Sequence, residues 1–312
     1  MYREHFGMRQ LPFQLTPNTS FRFNLPSHHE ALNVLMVTLR SGEGFVKIVG
    51  EVGTGKSLLC RTLLNTLGDG FVTAYIPDPC LSPLGVRLAL AEELGLTRAE
   101  EIGEHQIMRH ITERLIEFKK AGKNAVLLMD EAQALPRLSF ESLRLLTNLE
   151  TETSKLLQIV LFGQPELDQL LAEPGLRQVR QRITFSHRLQ PMNRLDMEGY
   201  VAYRLALAGY VGSSLFSPAA LSLLYRASRG VPRLVNILCH KALLAAYGQG
   251  DVQVQRKHVR AAIADTEGTG RTALEGWRQI VSGVFPRKPR MQRWQPQGES
   301  TDVHRNGAQR TV

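Results

Sequence analysis

The apolar run Phe45–Val49 passes straight into Gly50-Glu51-Val52-Gly53-Thr54-Gly55-Lys56-Ser57, and a stretch of helical period over residues 58–67 follows at once. Strand, glycine-rich loop and helix, in that order, is the context in which GxxxxGK[ST] wraps a phosphate chain. The glycines let the loop curl tightly enough to aim backbone N–H groups inward. The helix turns its positive N-terminal end toward the same anion. Lys56 would supply a mobile charge to the β and γ phosphates, and the Ser57 hydroxyl a magnesium ligand.

Around this element, apolar runs of strand length alternate with helical periods. Strands are expected at Phe71–Ile76, 125–129 and 157–162, with a short one near 183–185. Helices are expected at 29–40, 84–94, Glu104–Lys120 and 139–151. The run 125–129 has no polar interruption, as a strand buried on both faces requires. This alternation predicts an α/β fold, a P-loop core with a mostly parallel sheet covered on both sides. Beyond about residue 189 the strand signals stop. Helical periods at 196–207, Pro218–Ser228, 232–247 and Arg256–Ala264 predict a second, smaller all-helical domain. The expected boundaries are 1–189 for the α/β domain, including an entry segment broken by Pro12, Pro17 and Pro26, 190–266 for the helical domain, and 267–312 for a basic tail read as disordered.

Further candidate residues sit at the ends of the expected strands. Asp130 and Glu131 close the run AVLLM. At the carboxyl end of a central strand, Asp130 would hold the magnesium shell opposite Ser57, and Glu131 would polarise a water toward the γ phosphate. Such a pair favours hydrolysis of ATP over transfer of its phosphate to another substrate. Gln164 follows LQIVLF and faces the same crevice, where its amide would orient the water or sense the γ phosphate. The segment Arg177–Arg182 carries three arginines, any of which would stabilise phosphoryl transfer if it reached a neighbouring subunit's phosphates. In Gly230-Val231-Pro232-Arg233, Pro232 suits a first helical turn and places Arg233 near the helix start.

Composition limits the partners. The 312 residues carry a formal net charge of +9, with 43% hydrophobic and 21% charged residues, the balance of a globular protein. Nearly half of the excess charge lies in residues 266–312, so an anionic partner such as nucleic acid or acidic lipid is compatible with the chain. Cys60, Cys80 and Cys239 lie far apart, which excludes a disulfide framework and zinc-site spacing. The expected setting is cytoplasmic, since neither a signal peptide nor an apolar run long enough for a membrane span is present.

Taken together, GEVGTGKSLLCR, LLMDEAQALP, SLRLLTNLETETSKLLQIVLFGQPEL, LRQVRQRITFS and ASRGVPRLVNILCHKALLAAYG resemble the AAA+ ATPases of the general secretion pathway A type. HFGMRQLPFQLTPNT near the start adds to the likeness, which is nearest to ATPases of mannose-sensitive haemagglutinin pilus biogenesis. It runs from residue 1 to about 267. The resemblance implies that the helical domain is a lid, that Gln164 is the polar sensor, and that Arg233 is the lid's sensor arginine. It makes Arg182 the arginine finger, with Arg180 as the competitor, and puts residues 11–13 near the adenine. ATP and Mg2+ are the implied cofactors, and a nucleotide-dependent homo-oligomer is the implied assembly. Its work would be building a type IV pilus or related secretion machinery, with assembly proteins at the inner membrane as partners. Larger relatives continue through a membrane span into a peptidoglycan-binding domain. Neither is expected here, so membrane contact is expected through a partner or a peripheral surface. The alternative is a nucleic-acid-associated ATPase, such as a transposition or replication-loading factor.

Overall fold

The central strands read as apolar because both of their faces are covered. A computed structural model describes residues 2–14, 25–96, 103–152 and 154–266. Five strands form one sheet: β1 (Phe45–Val49), β2 (Phe71–Ile76), β3 (Asn124–Met129), β4 (Leu157–Gly163) and β5 (Phe185–Arg188). Their order is β2-β3-β4-β1-β5, and every pairing is parallel. Side chains alternate between two cores, as a period of two dictates. Phe45, Val49, Leu127, Met129, Ile159 and Leu161 enter the larger core, whereas Val46, Ile48, Val126, Leu128, Val160 and Phe162 enter the other.

Helices cover the two faces. Against the second core lie α2 (Pro26–Arg40) and α3 (Lys56–Thr66), following a short first helix α1 (Tyr2–His5). Against the larger core lie α4 (Pro83–Glu93), α5 (Glu104–Lys120), α6 (Arg137–Leu146), α7 (Pro165–Ala172) and α8 (Arg177–Arg182). The lid comprises α9 (Arg194–Leu207), α10 (Pro218–Ser228), α11 (Pro232–Gly248) and α12 (Arg256–Ala264) around its own core. Caps fix several starts: Ser82, Asn193 and Ser217 each accept a backbone N–H three residues on. This is the AAA+ arrangement of a P-loop α/β core followed by a helical lid.

Three expectations change. The helix expected over 139–151 ends at Leu146, where Thr147 Oγ1 donates to the Arg144 carbonyl and a Glu150–Lys155 antiparallel bridge follows. Side chains of Thr147 and Thr151 bond locally to the main chain, which competes with helix propagation. The last strand occupies 185–188 rather than 183–185, because Ile183 serves as the C-cap of α8. The entry segment, grouped by sequence with the α/β domain, buries Tyr2, Phe6, Met8 and Phe13 among lid residues. Arg204 of α9 anchors it, donating to the carbonyl of Pro12 at 2.6 Å. Phe13 meets Phe216 edge-on in the lid, and Leu11 packs against the same lid core. The tail 267–312 lies outside the described residues.

Candidate nucleotide site

Parallel strands bring three chain segments to one end of the sheet. The P-loop leaves β1, Asp130 and Glu131 leave β3, and Gln164 leaves β4, which lies between those two strands. The Gly50 N–H donates to the Gly163 carbonyl at 3.1 Å and levels the loop with the end of β4. Gly55 is the N-cap of α3 at φ 99, so the loop reaches the helix through a left-handed residue that few side chains tolerate.

Lys56 is buried, and its Nζ donates to the carbonyls of Gly50 at 2.8 Å and Glu51 at 3.2 Å. The ammonium therefore lies inside the curl of the loop, in reach of an anion seated there. Burial lowers its pKa, while Glu131, Asp130, Glu51 and Glu166 act in the opposite sense. Asp130 is also buried; burial pushes its carboxyl up, against hydrogen bonds from Ser57 and the Glu131 backbone. That Asp130–Ser57 contact sets a carboxylate beside a hydroxyl, a pair of hard oxygen donors suited to Mg2+.

Glu131 adopts φ 48, one of two described non-glycine residues in the left-handed region. Its Oε2 accepts from Gln164 Nε2 at 2.9 Å and from Gln133 Nε2 at 2.6 Å. Burial alone would raise this carboxyl, but the amides of Gln164 and Gln133, with Lys56 behind them, hold it below the usual glutamate range. The fold thus brings Lys56, Asp130, Glu131 and Gln164 together.

The lid closes on the loop from the other side. The Arg233 N–H donates to the Gly53 carbonyl at 3.2 Å. A Cβ on Gly53 would stand 2.5 Å from Arg233 Cβ and 3.3 Å from Val231 Cγ1, so only glycine permits this approach. Arg182 is elsewhere: its Nη1 donates to Thr147 Oγ1 at 3.2 Å within the same chain, and Arg180 is exposed. Among the described contacts, neither arginine reaches the crevice. Sequence reasoning passed over Gln133 and His28. Gln133 lies inside the quoted DEAQ phrase, so its spacing from Glu131 was a usable signal. His28 had none: a Cβ on Gly55 would stand 2.7 Å from its Nε2, a proximity created only when α2 packs beside the loop. Cys60 and Cys239 are buried, as expected of core packing, and no grouping of metal-ligating side chains occurs among the described residues.

Residues 39–171 match a family model described as an AAA domain. The chain is 40% identical over 306 residues to general secretion pathway protein A of Aeromonas hydrophila, covering 93% of this chain and 56% of that protein. It therefore spans little more than half of that relative. Cdc6p from Pyrobaculum aerophilum has a similar fold, with a TM-score of 0.62 at 18% identity over 81% of this chain and 70% of its own. Drosophila ORC bound to DNA gives a TM-score of 0.59 at 19% identity over 92% and 80%. No helix among the described residues is long and apolar enough to cross a membrane. With the P-loop at the carboxyl end of the sheet and a helical lid docked on it, the chain carries a P-loop AAA+ ATPase domain and is related to general secretion pathway protein A.

Proposed function

We propose that the chain hydrolyses ATP in the crevice between core and lid and passes the lid's movement to a macromolecular partner. One observation carries this reading: Arg233 of the lid packs on Gly53 of the loop, while Glu131 and Gln164 face the same loop from β3 and β4. Backbone N–H groups of residues 50–57 would bind the phosphates, and Lys56 would leave its loop carbonyls for the β and γ oxygens. Ser57 and Asp130 would hold magnesium, which supplies charge neutralisation across those phosphates. Glu131 would take a proton from the attacking water, and Gln164 would fix the water or the γ phosphate. Arg233 would sense the phosphates from the lid. Arg182 would serve a neighbouring subunit in a homo-oligomer, since it is braced at Thr147 and away from its own crevice.

Two outputs are in competition. The solved neighbours, Drosophila ORC bound to DNA among them, favour nucleic-acid-associated work. The relative at 40% identity supports the other, assembly of a pilus or secretion machinery, which includes the narrower likeness to pilus-biogenesis ATPases. The test is turnover of wild type and Glu131→Gln with and without duplex DNA. Glu131→Gln should retain ATP and stall hydrolysis, and normal turnover in that variant rejects the base assignment. DNA stimulation that fades with salt supports nucleic-acid work. Turnover indifferent to DNA at low salt returns the reading to assembly.

A further inference from the structure

Gln133 lies in the 3-10 turn Ala132–Ala134 that follows β3, and it touches both walls of the crevice. Its Nε2 donates to Glu131 Oε2 at 2.6 Å, and its Oε1 accepts the Gln164 backbone N–H at 2.9 Å. The orientation of this amide is set by chemistry, since a backbone N–H must meet the carbonyl oxygen and a carboxylate must meet the NH2. Gln164 Nε2 donates to the same Glu131 Oε2. One carboxylate oxygen therefore receives two N–H donors, and no described donor reaches Oε1.

We propose that Gln133 is a positioning residue for hydrolysis: it ties the Glu131 carboxylate to the end of β4 and leaves Oε1 as the oxygen that accepts the proton. This rests on the reading of Glu131 as the base. The water's proton passes to Oε1, and its oxygen forms the bond to the γ phosphorus. The bond from that phosphorus to the bridging oxygen breaks, its electron pair leaving with ADP. Oε2, already accepting twice, is the poorer base of the two. Because the end of β4 also carries Gln164, displacement of that strand end moves the base and its partner amide together.

The variants Gln133→Ala and Gln133→Glu separate positioning from mere bracing. Glutamate keeps the length and an acceptor for the Gln164 N–H but replaces the donor to Glu131 with a second carboxylate. Expected are a fall in kcat of about tenfold for alanine and more for glutamate, the alanine effect lying below the roughly 10²–10⁴-fold that loss of the base itself would cost. KM and ATP affinity should stay within about twofold. Gln133→Glu should not restore what alanine loses, because it returns the acceptor for the Gln164 N–H without the donor to Glu131 Oε2. If Gln133→Glu keeps wild-type kcat, the tie is structural only and the proposal fails. It also fails if KM changes by as much as kcat does. Should the alanine variant not fold, the kcat and KM of the glutamate variant decide. Glu131→Gln, measured alongside, distinguishes the two levels. Normal turnover there overturns the base reading itself, whereas a stalled Glu131→Gln beside unaffected Gln133 variants overturns only this proposal.

Discussion

At Lys56 a single charge carries most of the loop's attraction for phosphate. Its Nζ is held by two loop carbonyls, so removal costs the fold little beyond those bonds but strips the cradle of its mobile cation. Lys56→Ala should therefore lower ATP affinity and turnover together, by about tenfold or more for a lost charge-assisted contact. Calorimetric titration and phosphate release check this, and unchanged binding sinks the assignment. A backbone position is equally exacting. Gly230 sits at φ 74 and accepts the Met192 N–H, and a Cβ there would lie 1.9 Å from the Met192 carbonyl oxygen. Gly230→Ala should cost at least about 2 kcal/mol, since left-handed strain alone is roughly 1–2 kcal/mol and backbone cannot yield to the clash. A denaturant midpoint indistinguishable from wild type would show that the linker relaxes freely.

Among the elements, residues 2–14 belong energetically with helices that follow some 190 positions later. Tyr2, Phe6, Met8 and Phe13 are buried against lid residues, and Arg204 holds the Pro12 carbonyl. The Tyr2 hydroxyl meets His240 Nδ1 on α11 at 2.9 Å, and burial pushes that hydroxyl up to about 12. Phe13→Ala should cost about 3–5 kcal/mol, the range for emptying a buried aromatic site. Hydrogen exchange should localise the loss to α9–α11 rather than to the sheet. Equal deprotection of β3 and β4 would mean that core and lid unfold as one unit. The contact of α11 with Gly53 has the opposite character, being one hydrogen bond and a close van der Waals approach, and is suited to opening and closing.

For the whole molecule, the open question is whether one chain completes its own site. Arg182 bonds to Thr147, while Lys56, Asp130, Glu131 and Gln164 are gathered in one crevice. A proposed trans role for Arg182 predicts that Arg182→Ala binds ATP normally yet hydrolyses it slowly, by about 10³-fold or more if it acts as such arginines do. Mixing it with Lys56→Ala protein should restore part of the phosphate release in proportion to total concentration. The Lys56→Ala subunit lends its Arg182 to a partner whose loop is intact. Failure at every mixing ratio, with mixed oligomers demonstrated, would remove the trans role, and repeating the experiment with Arg180→Ala tests the competitor.

The sequence alone determined the local elements and the phosphate loop, because both depend on short-range chemistry. Continuous apolar runs, the glycine spacing and the Ser and Asn caps act within a few residues, so β2, α5, α10 and α12 are found at their expected bounds. Asp130 and Glu131 were legible for the same reason, each following an apolar strand whose end must face the loop. Tertiary structure decided what depends on distant partners. The N-terminal segment joined the lid because its aromatic side chains find a core there, which no local pattern encodes. Thr147 and the Glu150–Lys155 bridge stopped a helix that periodicity alone would have continued. His28 came to the loop only through packing of α2. Gln133 took its place because the parallel sheet sets the end of β4 beside the end of β3, leaving one amide long enough to bond to both.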